Sequence, residues 1–404
     1  MKVAVNSKLP TVTGLTCQVL NVNARTNWSY IGVQTSDDQT YWGEASLNGW
    51  EPLLQGAVAM LRNRLMGLRI DQVMAQLTVS PLSPGGLVYN SVISAVAQAM
   101  LEWQAWHHQQ AWHVPLGTMR RQKLRVYANI NRATENRSPE GFAATARRAA
   151  AQGFTAFKAA PFDELTPALC GTLLGQQRLH HGITCILAMR EAIGPHARLM
   201  LDCHWRLDEP RAHQLLKDLA PAQLHWLECP LPEIPQNSQA LRQLRQVANS
   251  QGVLTAGAET LIGVQGFQPL FDAGTYDVVM PDVKYCGGPW VMLQIAQRAR
   301  ESGVQFSPHN PTGPLASLHS INVASVAPEC DMIELQFQES PLFDSLLTGV
   351  NPPHVQGTFD APLQQGMRAP LNLALFKEHP YTAVPVGVEN LAMGSQELAV
   401  TYSE

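Results

Sequence analysis

Seven acidic or imidazole side chains stand where short apolar runs end: Asp202, His204, Glu228, Glu259, Asp282, His309 and Glu334. The runs are RLMLDCH (198–204), LHWLECP (224–230), LTAGAE (254–259), VVMPDV (278–283), QFSPHN (305–310) and MIELQF (332–337). A solvated residue opening a loop would account for any one of these side chains. The same feature on consecutive runs points to a site.

Asp202, Glu228 and Glu259 lie 26 and 31 residues apart, about one strand-plus-helix unit each. Three ionised acids brought to one mouth repel strongly unless a cation sits between them. Oxygen-only ligation selects a hard ion, so Mg2+ leads and Mn2+ follows. Zinc would recruit His or Cys, and Cys203 and Cys229 are expected to point away, one residue out of phase on their strands. Asp282 and His309 end neighbouring runs. A carboxylate that fixes one ring nitrogen makes the other a better base, although the same pair would also serve as a structural histidine held by an acid. His204 follows Asp202 by two residues, so strand alternation puts both on one face. There it is a fourth ligand, a neighbour of the ligands, or a proton donor.

The elements that must position these residues are legible as a pattern. Including VYANI (126–130) and FTAFKAA (154–160), eight strand-like runs alternate with amphipathic stretches such as PRAHQLLKDLA and WVMLQIAQRARESG. That alternation is the signature of a (β/α) barrel, whose chemistry sits at the C-terminal ends of its strands. A doubly wound open sheet is the competing architecture, but no Gly-rich phosphate turn follows the first strand. Before this region, TGLTCQVLNV, YIGVQTS and TYWGEAS read as strands, and QGAVAMLRNRLMGL and SVISAVAQAMLEWQAW as helices. The expected organisation is an α+β capping domain over 1–122, a barrel over 123–345, and a segment over 346–404 returning to both.

At 404 residues the chain exceeds one comfortable core. Hydrophobic content of 45% with 15% charged residues is that of a well-buried globular enzyme. A net charge of -4 offers no basic face for nucleic acid. No apolar stretch approaches the roughly 20 residues a membrane span requires. The N-terminus lacks the pattern of a secretory signal, and seven unpatterned cysteines read as reduced thiols. A cytoplasmic address is expected.

The stretches LMLDCHW, LHWLECPLPE, LTAGAETLIG, VVMPDVKYCGG, VQFSPHNPTGPLASLHS and YWGEASLNGWEP together resemble the enolase superfamily, in its mandelate racemase-like branch. The resemblance implies a modified, enolase-type barrel, Mg2+ on Asp202, Glu228 and Glu259, an Asp282–His309 dyad, and Glu334 near a developing enolate oxygen. It also implies removal of a proton next to a carboxylate. Racemases of this branch carry Lys-x-Lys on the second barrel strand; here the stretch is Lys158-Ala159-Ala160. Lys158 is left as a carboxylate or electrostatic contact, and Ala160 cannot move a proton. Asp202-x-His204 and SPHNPTGP are similar instead to the galactonate and mannonate dehydratases, which implies loss of water from a sugar acid, with His204 protonating the leaving hydroxyl. A racemase, epimerase or cycloisomerase on the same scaffold, or a non-catalytic metabolite binder, are the alternatives. By the resemblance a loop around 14–30 caps the barrel mouth, and even-numbered homo-oligomers are expected. Candidate substrate contacts are Arg25, Trp28, Asn129, Asn131 and Asn310.

Overall fold

The computed structural model describes residues 9–83, 85–350, 352 and 354–386. The first eight residues of the stretch read for a secretory signal lie outside them, as do 387–404 of the expected C-terminal segment. Among the described residues no helix is long and apolar enough to cross a membrane.

The first domain begins with an antiparallel sheet of β1 (Val12–Asn23), β2 (Thr26–Thr35) and β3 (Thr40–Glu44). Its Val12, Leu15, Ile31, Val33 and Tyr41 side chains pack into one apolar cluster with helices α1 (Glu51–Leu65) and α2 (Gly86–His107). α2 is buried almost all round, because the sheet covers one side and the barrel another. The approach is close. A Cβ at Gly43 of β3 would come 1.9 Å from the Ala95 carbonyl oxygen. Gly288, at φ +84, would meet the Ala97 Cβ at 2.7 Å. The segment read as a mouth-capping loop, 14–30, is instead the β1–β2 hairpin. Leu15 and Leu20, an odd number of residues apart, are buried in two different apolar clusters, as opposite faces of one strand allow, and only Ala24 and Arg25 form its turn.

Eight parallel strands then alternate with seven helices. They are β4 (Lys123–Asn129), α3 (Pro139–Ala151), β5 (Ala156–Ala159), α4 (Leu173–Ile193), β6 (Arg198–Asp202), α5 (Glu209–Asp218), β7 (Trp226–Glu228) and α6 (Ser238–Ser250). There follow β8 (Leu254–Gly257), α7 (Gly263–Ala273), β9 (Val278–Val279), α8 (Pro289–Glu301), β10 (Gln305–Phe306), α9 (Pro314–Val326) and β11 (Met332–Gln336). The ladder runs from β10 back to β4, and β11 pairs the other edge of β4. Between β10 and β11 the Ser307 hydroxyl donates to the Met332 carbonyl at 2.9 Å. Helix starts carry their own caps: Ser138, Thr172 and Asp208 each accept a backbone N–H from the first turn.

The barrel interior is layered by the two-residue period of its strands. One layer holds Tyr127, Ala156, Met200, Trp226, Ala256 and Met332. Two residues further along β4, β5, β6, β7 and β11 stand Asn129, Lys158, Asp202, Glu228 and Glu334. An aromatic and aliphatic floor thus supports a charged storey directly above it.

After β11 the chain passes through α10 (Leu342–Ser345) to β12 (His354–Val355) and β13 (Thr358–Asp360), and β13 pairs the start of β4. It then climbs the cap. Met367 accepts from the Trp112 indole at 2.9 Å, and Arg368 binds Glu102 at 2.8 Å. Past α11 (Leu375–Glu378), His379 and Thr382 accept from Asn21 and Asn27 of the hairpin.

Candidate active site

Asp202, Glu228 and Glu259 each present a carboxylate oxygen, all within 4.8 Å of one another, and all three side chains are buried. Asp202 and Glu228 end adjacent strands in direct register. Glu259 lies just past β8, next to Ala258 at φ +77, and Glu233 holds the Ala258 amide at 2.7 Å. An all-oxygen donor set of this charge fits a hard divalent ion.

The Cys229 thiol does not point away as strand alternation suggests. β7 ends at Glu228, Cys229 turns left-handed at φ +44, and its sulfur lies 3.7 Å from Glu259 Oε2. Burial, reinforced by Glu259 and Glu233, pushes that thiol well above its ordinary range. It stays a neutral donor and not a thiolate ligand.

Lys158 Nζ lies in the charged storey at 2.5 Å from Glu228, 2.8 Å from Glu334 and 3.7 Å from Asp202. Burial alone would favour its neutral form, but the surrounding carboxylates outweigh that and hold the ammonium charged. Glu334 is kept ionised against its own burial chiefly by Lys158. Glu228 goes the other way: burial and the neighbouring Asp202 and Glu334 raise it. One lysine cannot balance this many acids, which is the electrostatic case for a cation. Glu334 takes Asn129 Nδ2 at 2.7 Å and the Asn310 amide at 2.9 Å, so its oxygens are engaged by the protein.

His309 Nδ1 is 2.9 Å from Asp282 Oδ2, and its Nε2 is 3.6 Å from Glu259 Oε1. The same Asp282 oxygen accepts from Lys284 Nζ at 2.6 Å. Burial opposes ionisation of Asp282, but Lys284 and His309 together hold it below the usual carboxylate range. Lys284 escaped the sequence reading, although it stands two residues after Asp282 in PDVKYCGG.

His204 reaches Asp202 by a route other than strand alternation. β6 stops at Asp202, and His204 and Trp205 are both left-handed, at φ +47 and +57. The turn is secured by the His204 amide on Asp202 Oδ1 (3.0 Å) and the Trp205 amide on the Cys229 carbonyl (2.7 Å). Strain of this kind concentrates at functional sites. It brings His204 Nε2 to 3.0 Å from Asp202 Oδ2, and burial of Asp202 is outweighed by His204 and Lys158, which lower its pKa.

One cavity of about 270 Å3 opens over these groups, small even against the roughly 300–1,000 Å3 of ordinary ligand pockets. Asp202, His204, Glu259 and His309 share its wall with Asn129 and Asn131. Arg25 and Thr26 reach it from the hairpin, Arg132, Asp163 and Arg206 from barrel loops, and Pro385 and Val386 from the C-terminal segment. A larger groove of about 570 Å3 lies at the starts of β7 and β8, lined by Leu216, Leu224 and Val253, with Lys217 its one ionisable side chain. It offers no chemistry.

Two expected substrate contacts are corrected. Trp28 is buried in the cap, edge-on to Phe343 at 6.3 Å, because it lies on the apolar face of β2. The Asn310 side chain turns inward to Ser317 and the Glu334 carbonyl. Arg132, Asp163 and Arg206 went unread. Their positions just past β4, β5 and β6 are the available signal.

Residues 141–371, more than half of the chain, match the family described as enolase C-terminal domain-like. The chain is a member of the enolase superfamily. D-galactonate dehydratases of Ralstonia pickettii and Pectobacterium atrosepticum are each 25% identical to this superfamily member, over 303 and 307 residues. Both alignments cover 74% of this chain and 76% of the relative. A crystal structure of a mandelate racemase/muconate lactonizing enzyme from Jannaschia sp. superposes with a TM-score of 0.81 at 22% identity, over 93% of this chain and 99% of that one. An N-terminal cap on a curled parallel sheet is therefore an enolase-superfamily architecture, and the chain is an enzyme of that superfamily.

Proposed function

We propose that this enzyme dehydrates a sugar acid of the aldonate type or a close relative, removing the proton next to the carboxylate and expelling the β-hydroxyl to give a 2-keto-3-deoxy acid. One observation carries the reading: His204 and His309, on different strands' ends, line the same small cavity as the acid cluster, while position 160 offers only a methyl group. We read His204 as the acid and His309 as the base; Lys158 is on the second barrel strand, but the second lysine of Lys-x-Lys is replaced by Ala160.

In this reading residues 1–122 set specificity, 123–345 carry the chemistry, and 346–404 close over both. Asp202, Glu228 and Glu259 hold Mg2+ or Mn2+, which when bound supplies positive charge for the substrate carboxylate. His309 Nε2 takes the α-proton, its ring fixed through Nδ1 by Asp282. Lys158 keeps Glu334 ionised within the charged storey, and Glu334 orients Asn129 at the cavity wall. His204, whose Nε2 faces Asp202, gives the proton from Nδ1 to the departing hydroxyl. The α C–H and β C–O bonds break, water leaves, and the enol tautomerises to the ketone. The galactonate dehydratase relatives support this class of substrate.

The two facing imidazoles would also serve a 1,1-proton transfer, the epimerase reading. A panel of hexonic, pentonic and aldaric acids with Mg2+, scored for keto acid by semicarbazone formation, separates the two. Chelator-sensitive keto acid supports dehydration. Substrate recovered inverted and deuterated from D2O, without keto acid, refutes it.

A further inference from the structure

The cavity wall also carries guanidinium groups. They belong to Arg25, Arg132 and Arg206, and Asp163 lines the wall as well as Asp202 and Glu259. Two of these charges are already spoken for. Asp163 is held in a fork by Arg137, at 2.6 and 3.1 Å. Arg132 binds Glu339 at 2.8 Å, and the same Glu339 oxygen takes the Thr26 hydroxyl at 2.7 Å. Arg206 and Arg25 remain. Neither forms an ion pair with a carboxylate among the described residues.

Arg206 is half-buried, and its Nη1 donates to the Leu165 carbonyl at 2.8 Å. That bond fixes the side chain and leaves its other donors. Burial lowers its pKa somewhat, yet a guanidinium stays charged at any physiological pH. A half-buried cation facing a small cavity is costly unless an anion meets it. Its planar fork suits a carboxylate better than any neutral group. Arg25 approaches from the hairpin turn, so cap and barrel each present to the same space one guanidinium that contacts no carboxylate among the described residues.

We propose that the site takes a sugar diacid, an aldarate, whose second carboxylate is bound by Arg206 with Arg25. This rests on the acid dehydratase reading above. An aldonate of equal length would place a neutral hydroxymethyl group at that end. It would leave the Arg206 fork without a carboxylate in contact, with Asp163, Asp202 and Glu164 acting on it only from further off.

The test compares matched aldarate and aldonate pairs of the galacto, gluco and manno series. Dissociation constants are measured by calorimetry on the Mg2+-loaded His309→Asn variant, which binds without turning over. For the accepted stereochemistry the diacid binds at least about tenfold tighter, the worth of a charge-assisted contact. Adding Arg206→Gln brings the ratio close to one. Adding Arg25→Gln, an exposed turn position where folding is not at stake, reduces it several-fold. Equal affinities across all pairs, no binding by any diacid, or a preference that survives both substitutions overturns the proposal. Wild-type turnover separates the two readings. If an aldonate is dehydrated as efficiently as its aldarate, the diacid proposal falls and the dehydratase stands. If diacids bind preferentially but no acid loses water, the dehydratase reading falls and the anion site stands.

Discussion

Replacing Lys158 by methionine removes the one ammonium from the charged storey while keeping the volume of the side chain. In the native barrel that ammonium lies 2.5 Å from Glu228, 2.8 Å from Glu334 and 3.7 Å from Asp202, all essentially out of water. Removing one partner of a buried ion pair costs about 3–5 kcal/mol, because the remaining charge keeps its desolvation penalty. The metal-free variant is therefore expected to lose that much. For a barrel-sized unfolding unit this corresponds to a fall in Tm of roughly 6–20 °C. The bound form behaves differently. One more uncompensated negative charge about 4 Å from a cation is worth roughly 4 kcal/mol per unit of cation charge at an effective dielectric constant near 20. Mg2+ should then bind the variant at least about a hundredfold more tightly and restore much of the lost stability by mass action. Calorimetric scans of both proteins, in chelator and in millimolar Mg2+, read both effects. A variant within about 2 °C of wild type in chelator, or one whose Mg2+-induced shift merely equals the wild type's, would refute this charge balance.

Other outcomes follow from particular contacts. His204→Asn is expected to stop keto-acid formation while retaining exchange of the α-proton in D2O, read by NMR; equal loss of both would make His204 a positioning residue. Glu44 accepts from the Thr312 hydroxyl, the Gly313 and Ala316 amides and the Ser46 hydroxyl. It thereby ties the cap to the loop three residues past His309, so Glu44→Gln should cost about 2–4 kcal/mol in denaturant melts and lower kcat more than it raises KM. His319 is fully buried against Trp112, and burial lowers its pKa to about 3. Its folded pKa lies below the unfolded value, so the unfolded chain binds the extra proton between about pH 6.5 and 3. Stability is complete above pH 6.5 and falls with acid. His319→Phe should flatten that decline, by roughly 2 kcal/mol at pH 5 in urea titrations; an unchanged pH slope would count against it. Glu228→Gln should weaken Mg2+ binding by calorimetry, whereas His309→Asn should abolish turnover with metal affinity retained.

The eight barrel strands were legible because buried strands read as short apolar runs, and the acids because they interrupt those runs where the apolar pattern should continue. Asp202, Glu228 and Glu334 needed only the period of two. His204 and Cys229 show where that logic stops: both sit one or two residues past a strand end, in left-handed backbone that alternation does not describe. Arg206 depends on the same turn. Trp28 was misplaced because an aromatic near a loop-like Asn-Ala-Arg reads as exposed until the hairpin register buries it. Glu44 acts through Thr312, Gly313 and Ala316, far along the chain and in the other domain, and spacing carries no trace of such partners; Lys284 binds Asp282 only two residues away, but a lysine in a loop after a strand reads as solvated.

Pro385 and Val386 come to the cavity at the end of a chain path that starts beneath the barrel, at β13, and runs up the outside of the cap. The wall of the pocket thus combines two kinds of parts. The strand-end residues cannot move without disturbing the layered interior beneath them. The hairpin turn and the tail rest on the rim and bear on no barrel layer. Lengthening, shortening or recharging those two pieces would reshape the cavity while the strand-end residues stay where the barrel holds them.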